Sequence, residues 1–151
     1  MRKINYIVVH CSATREGCTL TSEALEAEHR RRGFRTTGYH YYIRRDGTVL
    51  GTRSLELPGA HCRGHNKYSI GICYEGGLDA RGNPKDTRTP EQRSALHLLV
   101  YQLLQQFRNA RVCGHRDLSP DLDGDGTVEP WEWVKQCPCF EVSKEFYNNH
   151  P

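Results

Sequence analysis

Apolar positions follow two different rhythms along this chain. Ile4 to Val9 is apolar on both parities and rich in β-branched residues, which predicts a buried central strand that ends at His10. Thr21 is placed to cap a helix running through Ala24, Leu25 and Ala27 to Gly33, where glycine is the expected stop. Tyr39 to Ile43 reads as a strand, and Asp46-Gly47 as a two-residue hairpin leading into Thr48-Val49-Leu50. A further short strand is expected at Ser69 to Tyr74, closed by Gly76-Gly77. The strongest helix signal is Thr89-Pro90-Glu91-Gln92, where a capping threonine, a proline at the first helical position and a reciprocal glutamine coincide. Ala95, Leu96, Leu99, Val100, Leu103, Leu104 and Phe107 then recur at three- and four-residue steps, a stripe suited to packing on a sheet. Arg111-Val112-Cys113 is the last expected strand and delivers His115 at its end. Strands alternating with helices imply an α/β fold, a mixed central β-sheet flanked by helices.

Length and composition narrow this further. At 151 residues the chain is expected to form one domain, 1–151, without an internal repeat or low-complexity linker. No apolar run approaches the roughly 20 residues of a membrane helix. The stretch before His10 is too short for a secretory signal, so synthesis in the cytoplasm is expected. Seven cysteines in that setting suggest reduced thiols or metal ligands rather than a disulfide framework. The net charge of +3 is mild, and Arg30-Arg31-Arg32 fits the last turn of a helix. Neither nucleic-acid nor membrane binding is expected, and the chain is expected to be monomeric.

Of the eight histidines, His29, His97 and His150 fall on helices or the tail and read as structural or solvated. His10 and His115 stand apart because each terminates an apolar strand segment beside small or polar residues. Cys137-Pro138-Cys139 adds a thiolate, and two imidazoles with one thiolate would leave the fourth position of a zinc ion open, a catalytic layout. A buried cysteine pair, or a closed structural site completed by Cys113, fits the same spacing.

The segments Ile7-Val8-Val9-His10-Cys11-Ser12-Ala13-Thr14, Gly38-Tyr39-His40-Tyr41-Tyr42-Ile43, Arg45-Asp46-Gly47-Thr48, Gly59-Ala60-His61, Asn66, Ser69-Ile70-Gly71-Ile72, Gly114-His115 and Cys137-Pro138 carry a resemblance over nearly the whole chain. In order and approximate spacing they resemble the bacteriophage-lysozyme type of N-acetylmuramoyl-L-alanine amidase, a family related to peptidoglycan recognition proteins. The resemblance implies that His10, His115 and Cys137 bind zinc (Zn2+), with Tyr39 and Lys135 completing the catalytic set. It also implies hydrolysis of the amide between the lactyl group of N-acetylmuramic acid and L-alanine in bacterial peptidoglycan. His61 and Asn66 are then expected to meet substrate. In a sister branch a glutamate serves catalysis on the strand equivalent to Ser69 to Tyr74. Cys73 occupies that place here, which shifts the burden to Tyr39 and leaves Glu75 as an alternative base.

One segment departs from the compact phage enzymes. Asp121 to Glu132, lying between His115 and Cys137, matches a twelve-residue calcium loop position for position. Calcium (Ca2+) ligands would be Asp121, Asp123, Asp125, the Thr127 carbonyl and Glu132, although Pro120 argues against the usual entering helix. The rival readings are a non-catalytic peptidoglycan-binding module, a calcium-dependent interaction module, and hydrolysis by a Cys11 or Cys113 nucleophile.

Overall fold

The apolar run near the start becomes strand β1 (Tyr6–Cys11), in which Ile7, Val8 and Val9 have no solvent exposure. The computed structural model describes residues 1–146, so His150 lies outside the described residues. After β1 come β2 (Thr14–Arg15), α1 (Ser22–Arg31), β3 (Tyr41–Ile43), β4 (Val49–Gly51), β5 (Ser69–Tyr74), β6 (Gly77–Leu78), α2 (Pro90–Gln106), β7 (Arg111–Gly114) and α3 (Val142–Phe146). Single turns of 3-10 helix occupy Asn66–Tyr68, His115–Leu118 and Pro130–Glu132.

Five strands form one sheet in the order β4-β3-β5-β1-β7, parallel except for the β3–β4 pair. The architecture is therefore the mixed α/β sheet expected. Such a sheet buries its centre on both faces, which explains why β1 and β5 lack polar alternation. Helix α2 begins as its sequence dictates: the Thr89 hydroxyl accepts from the Gln92 amide at 3.1 Å, and the Gln92 side chain accepts from the Thr89 amide at 3.0 Å. Leu96, Leu99, Val100, Leu103 and Leu104 on its inner face pack with Ile7, Ile70 and Ile72. Each such buried side chain contributes about 1.5–3 kcal/mol of burial. Thr21 caps α1 by accepting from the Ala24 amide, and the basic run at the far end of that helix stays exposed.

Two boundaries differ from expectation. The strand expected from Tyr39 begins only at Tyr41, because Gly38 and its neighbours bond outside the sheet ladder. The Gly38 amide donates to His29 Nδ1 at 2.8 Å, and the Gly38 carbonyl accepts from the Ala60 amide at 3.0 Å. The Asp46-Gly47 turn is wider than a two-residue hairpin: Ile43 pairs with Val49, leaving Arg44 to Thr48 as the connection. Unforeseen elements are the small β2–β6 sheet and α3, which Arg88 fastens to the body. Its guanidinium reaches Glu145 at 2.7 Å and Asp86 at 2.9 Å while lying 3.3 Å from the Phe140 ring centre.

Candidate metal centre and active site

Parallel pairing places the carboxyl ends of β1 and β7 side by side, and those ends carry the chemistry. His10 sits near the end of β1, only 1% exposed, and His115 follows β7 directly. Gly114 allows this approach, since a Cβ there would meet Pro138 Cδ at 2.7 Å. The third element is the segment after the acidic insertion, where the Cys11 amide donates to Cys137 Sγ at 3.2 Å. Tyr74 secures the same turn by donating its hydroxyl to the Pro138 carbonyl at 2.6 Å. Ligand atoms of His10, His115 and Cys137 all lie within 4.8 Å of one another. Two imidazole nitrogens and one thiol at that spacing suit zinc, which takes nitrogen and sulfur donors at about 2.0–2.3 Å.

Burial, followed by the neighbouring charges of His61, His115 and Lys135, drives the His10 pKa well below its ordinary value. The ring is therefore neutral, the form a metal requires. The cysteines of the competing readings are not arranged for their roles. Cys113 is buried, its thiol is pushed up to about 12 chiefly by burial, and it does not join the trio. Cys139 turns instead toward Cys11, with the sulfurs 4.0 Å apart. The hydrogen bond with Cys137 holds the Cys11 thiol up at about 12, so it is protonated and a poor nucleophile near neutrality.

A cleft of about 240 Å³ opens over the trio and includes Tyr39, His61 and Lys135. An adjoining groove of about 530 Å³ shares Arg32, Ala60, His61, His115 and Lys135, and adds Phe34, Arg63, Asn66 and Val134. The structure thus places Tyr39 and Lys135 in the lining of the same cleft as the zinc-ligand candidates. Tyr39 packs 5.0 Å, ring centre to ring centre, from His10. Burial, reinforced by the nearby thiols of Cys73, Cys137 and Cys11, raises its phenol well above its ordinary value. His29 is structural as expected, holding the Gly38 amide and packing 5.4 Å from Tyr39. His97 bonds Glu145 at 3.0 Å.

His61 and Asn66 line the groove, yet both ring nitrogens of His61 and the Oδ1 of Asn66 are committed within the protein. His61 Nδ1 lies 2.8 Å from His10 Nε2, and its Nε2 lies 3.1 Å from Ser69 Oγ. Asn66 Oδ1 accepts from the amides of His61 and Cys62 at 2.9 and 3.0 Å. Glu75 is outside the cleft. Its carboxylate accepts from the Leu20 amide at 2.8 Å, the Arg45 amide at 2.9 Å and Arg44 Nε at 3.0 Å, which removes it from consideration as the base.

In the insertion, carboxylates of Asp121, Asp123 and Glu132 gather within 4.8 Å, as do those of Asp123, Asp125 and Glu129. No helix enters this loop, in keeping with Pro120, and only the 3-10 turn Pro130–Glu132 leaves it. Asp121 accepts from the Gly124 and Gly126 amides, and Glu132 from those of Leu122 and Glu129. The hydrogen bond with Glu132, with desolvation and the nearby acidic charges, pushes Glu129 up to about 7.

Residues 1–138 match the N-acetylmuramoyl-L-alanine amidase family. The endolysin of Klebsiella phage KP32 is 34% identical over 148 residues, which span 98% of this chain and 89% of that protein. Among solved structures, the N-acetylmuramoyl-L-alanine amidase LysC from Clostridium intestinale URNW superimposes with a TM-score of 0.74 at 26% identity, covering 98% of this chain and 85% of that one. Bumblebee PGRP-SA shares the fold, with a TM-score of 0.72 at 22% identity over 98% of this chain and 83% of its own.

Proposed function

Because the chain belongs to the N-acetylmuramoyl-L-alanine amidase family and acts on peptidoglycan, we propose that its activity depends on zinc held by His10, His115 and Cys137. The bond cut is the amide joining the lactyl group of N-acetylmuramic acid to L-alanine. The observation that carries this reading is the gathering of two imidazoles and one thiol within 4.8 Å at the floor of the cleft. Three protein ligands leave an open position, which separates this site from a closed structural one. When bound there, zinc supplies Lewis acidity toward the amide carbonyl and acidifies a water.

The remaining steps fall to the chain's own side chains. As water adds to the carbonyl carbon, negative charge grows on the amide oxygen, and the Lys135 ammonium at the cleft edge stabilises it. Tyr39 keeps its phenolic proton and donates a hydrogen bond to the reacting group, orienting it against the ligand trio. As the carbon–nitrogen bond breaks, the protons given up by the attacking water pass to the leaving alanine nitrogen, and the products are a lactyl carboxylate and an alanine ammonium. The groove beside Lys135, with Arg32 and Arg63 on its walls, receives the flanking sugar and peptide, while His61 and Asn66 shape its floor. We take the chain to act as a monomer on the cell wall; among the described residues no helix is long and apolar enough to cross a membrane.

A second reading, that the insertion binds calcium, starts from the two groups of three carboxylates it brings together. Oxygen-only donors suit calcium rather than zinc. Bound at Asp121, Asp123, Asp125, Thr127 and Glu132, it would offset the mutual repulsion of these carboxylates and brace the segment leading to Lys135 and Cys137. Metal analysis of the purified protein together with cell-wall digestion tests both parts. Zinc near one equivalent and new L-alanine amino termini are expected, whereas reducing sugar ends would indicate a different reaction.

A further inference from the structure

We propose that His61 is a positioning residue for His10: its Nδ1 accepts a hydrogen bond from His10 Nε2–H and so leaves His10 Nδ1 bare and facing the metal position. This deepens the zinc reading and rests on it. A neutral imidazole carries one N–H, and a ligating nitrogen must be bare, so the opposite nitrogen holds the proton and needs an acceptor. His10 is almost fully buried, and its Nε2 finds that acceptor in His61 Nδ1 at 2.8 Å, with the rings edge to face at 88°. Once Nδ1 accepts, the proton of His61 sits on Nε2 and points to Ser69 Oγ at 3.1 Å. Ser69 has no exposure to solvent. Two consecutive hydrogen bonds thereby fix the tautomer of both rings.

The backbone around His61 is built to hold that ring. A Cβ on Gly71, in the middle of β5, would stand 2.6 Å from His61 Cδ2, and one on Gly59 would stand 2.4 Å from the same atom. Glycine inside a strand weakens it and commonly marks a close approach, which here is the imidazole edge. Asn66 pins the His61 amide at 2.9 Å, so main chain and ring are both constrained. Simple packing would be satisfied by any side chain of this size. Orientation of His10 requires an acceptor at Nδ1.

The full chain with His61→Leu, His61→Asn, Ser69→Ala or Gly71→Ala separates these roles. Zinc affinity is read by chelator competition, and ligand geometry by visible absorption of the cobalt-substituted protein. His61→Leu is expected to weaken zinc by about 10–100-fold and to change the cobalt spectrum. His61→Asn, whose carboxamide oxygen falls near the place of Nδ1, should recover most of the affinity. Gly71→Ala should weaken zinc with His61 still present, because the ring is displaced. Native zinc affinity and an unchanged cobalt spectrum in His61→Leu would overturn the proposal while leaving the zinc site standing. Failure of the native chain to take up zinc would overturn both. If His61→Leu does not fold, Ser69→Ala decides: a several-fold loss supports the relay, and native affinity with a native spectrum contradicts it.

Discussion

The amide of Cys11 donates to the sulfur of Cys137 at 3.2 Å, so the strand that carries His10 also fixes the position of the thiol contributed from the far end of the chain. Sulfur and imidazole are thus set by one backbone segment. Removing any of His10, His115 or Cys137 leaves two protein ligands, and each alanine substitution is expected to abolish zinc retention and activity together. Inductively coupled plasma measurements alongside turnover check this. A variant that is metal-free yet fully active would contradict it.

Tyr39 and Lys135 should behave differently, because both face the cleft without joining the trio. Tyr39→Phe and Lys135→Ala are expected to retain zinc and fold while each losing about 10²–10³ in kcat, the usual effect of one electrostatic donor. Near-native kcat in both would show that other groups stabilise the reacting amide.

Glu75 gives a pH test. Burial raises its pKa, but the amides of Leu20 and Arg45 and the Arg44 guanidinium outweigh burial and leave it below its ordinary 4.5. A carboxyl depressed in the folded state adds stability above its unfolded pKa, and that stability is lost as pH falls through the folded value. Glu75→Gln should therefore cost roughly 1–3 kcal/mol near pH 7, with the gap between variant and native closing below about pH 4.5. Melting curves across that range measure it. Activity per folded molecule should be unchanged, and a lost kcat with zinc retained would return Glu75 to the reaction.

Calcium added to a verified calcium-free, zinc-loaded sample is expected to raise Tm by several degrees, as for a ligand binding only the native state at about 100 times its Kd. Glu132→Gln should blunt that response and leave zinc content nearly unchanged. Absence of any shift would make the insertion an acidic turn closed by its own amides.

Local signals made much of this molecule readable from sequence. The Thr89–Gln92 capping box and the stripe from Leu96 to Leu104 specify α2, and the continuous apolar run before His10 specifies a central strand. Strand ends and family motifs single out His10, His115 and Cys137, whose donor atoms the fold brings together. What escaped reading depends on pairing across long separations. Arg88 and Glu145 meet 57 residues apart, and His10 and His61 meet 51 apart. Glu75 follows the strand that suggested a catalytic role, yet the loop carrying Leu20 and the Arg44–Arg45 turn converge on its carboxylate. Gly71, a glycine inside a β-branched strand, was the one local sign that a side chain presses against β5.

The most direct test of the zinc-amidase account is digestion of purified peptidoglycan by the native chain before chelation, after chelation and after zinc is restored, with both amino termini and reducing ends counted. The account predicts new L-alanine amino termini without new reducing ends, lost on chelation and recovered with zinc. Undiminished release of amino termini by protein shown to be free of metal would contradict it.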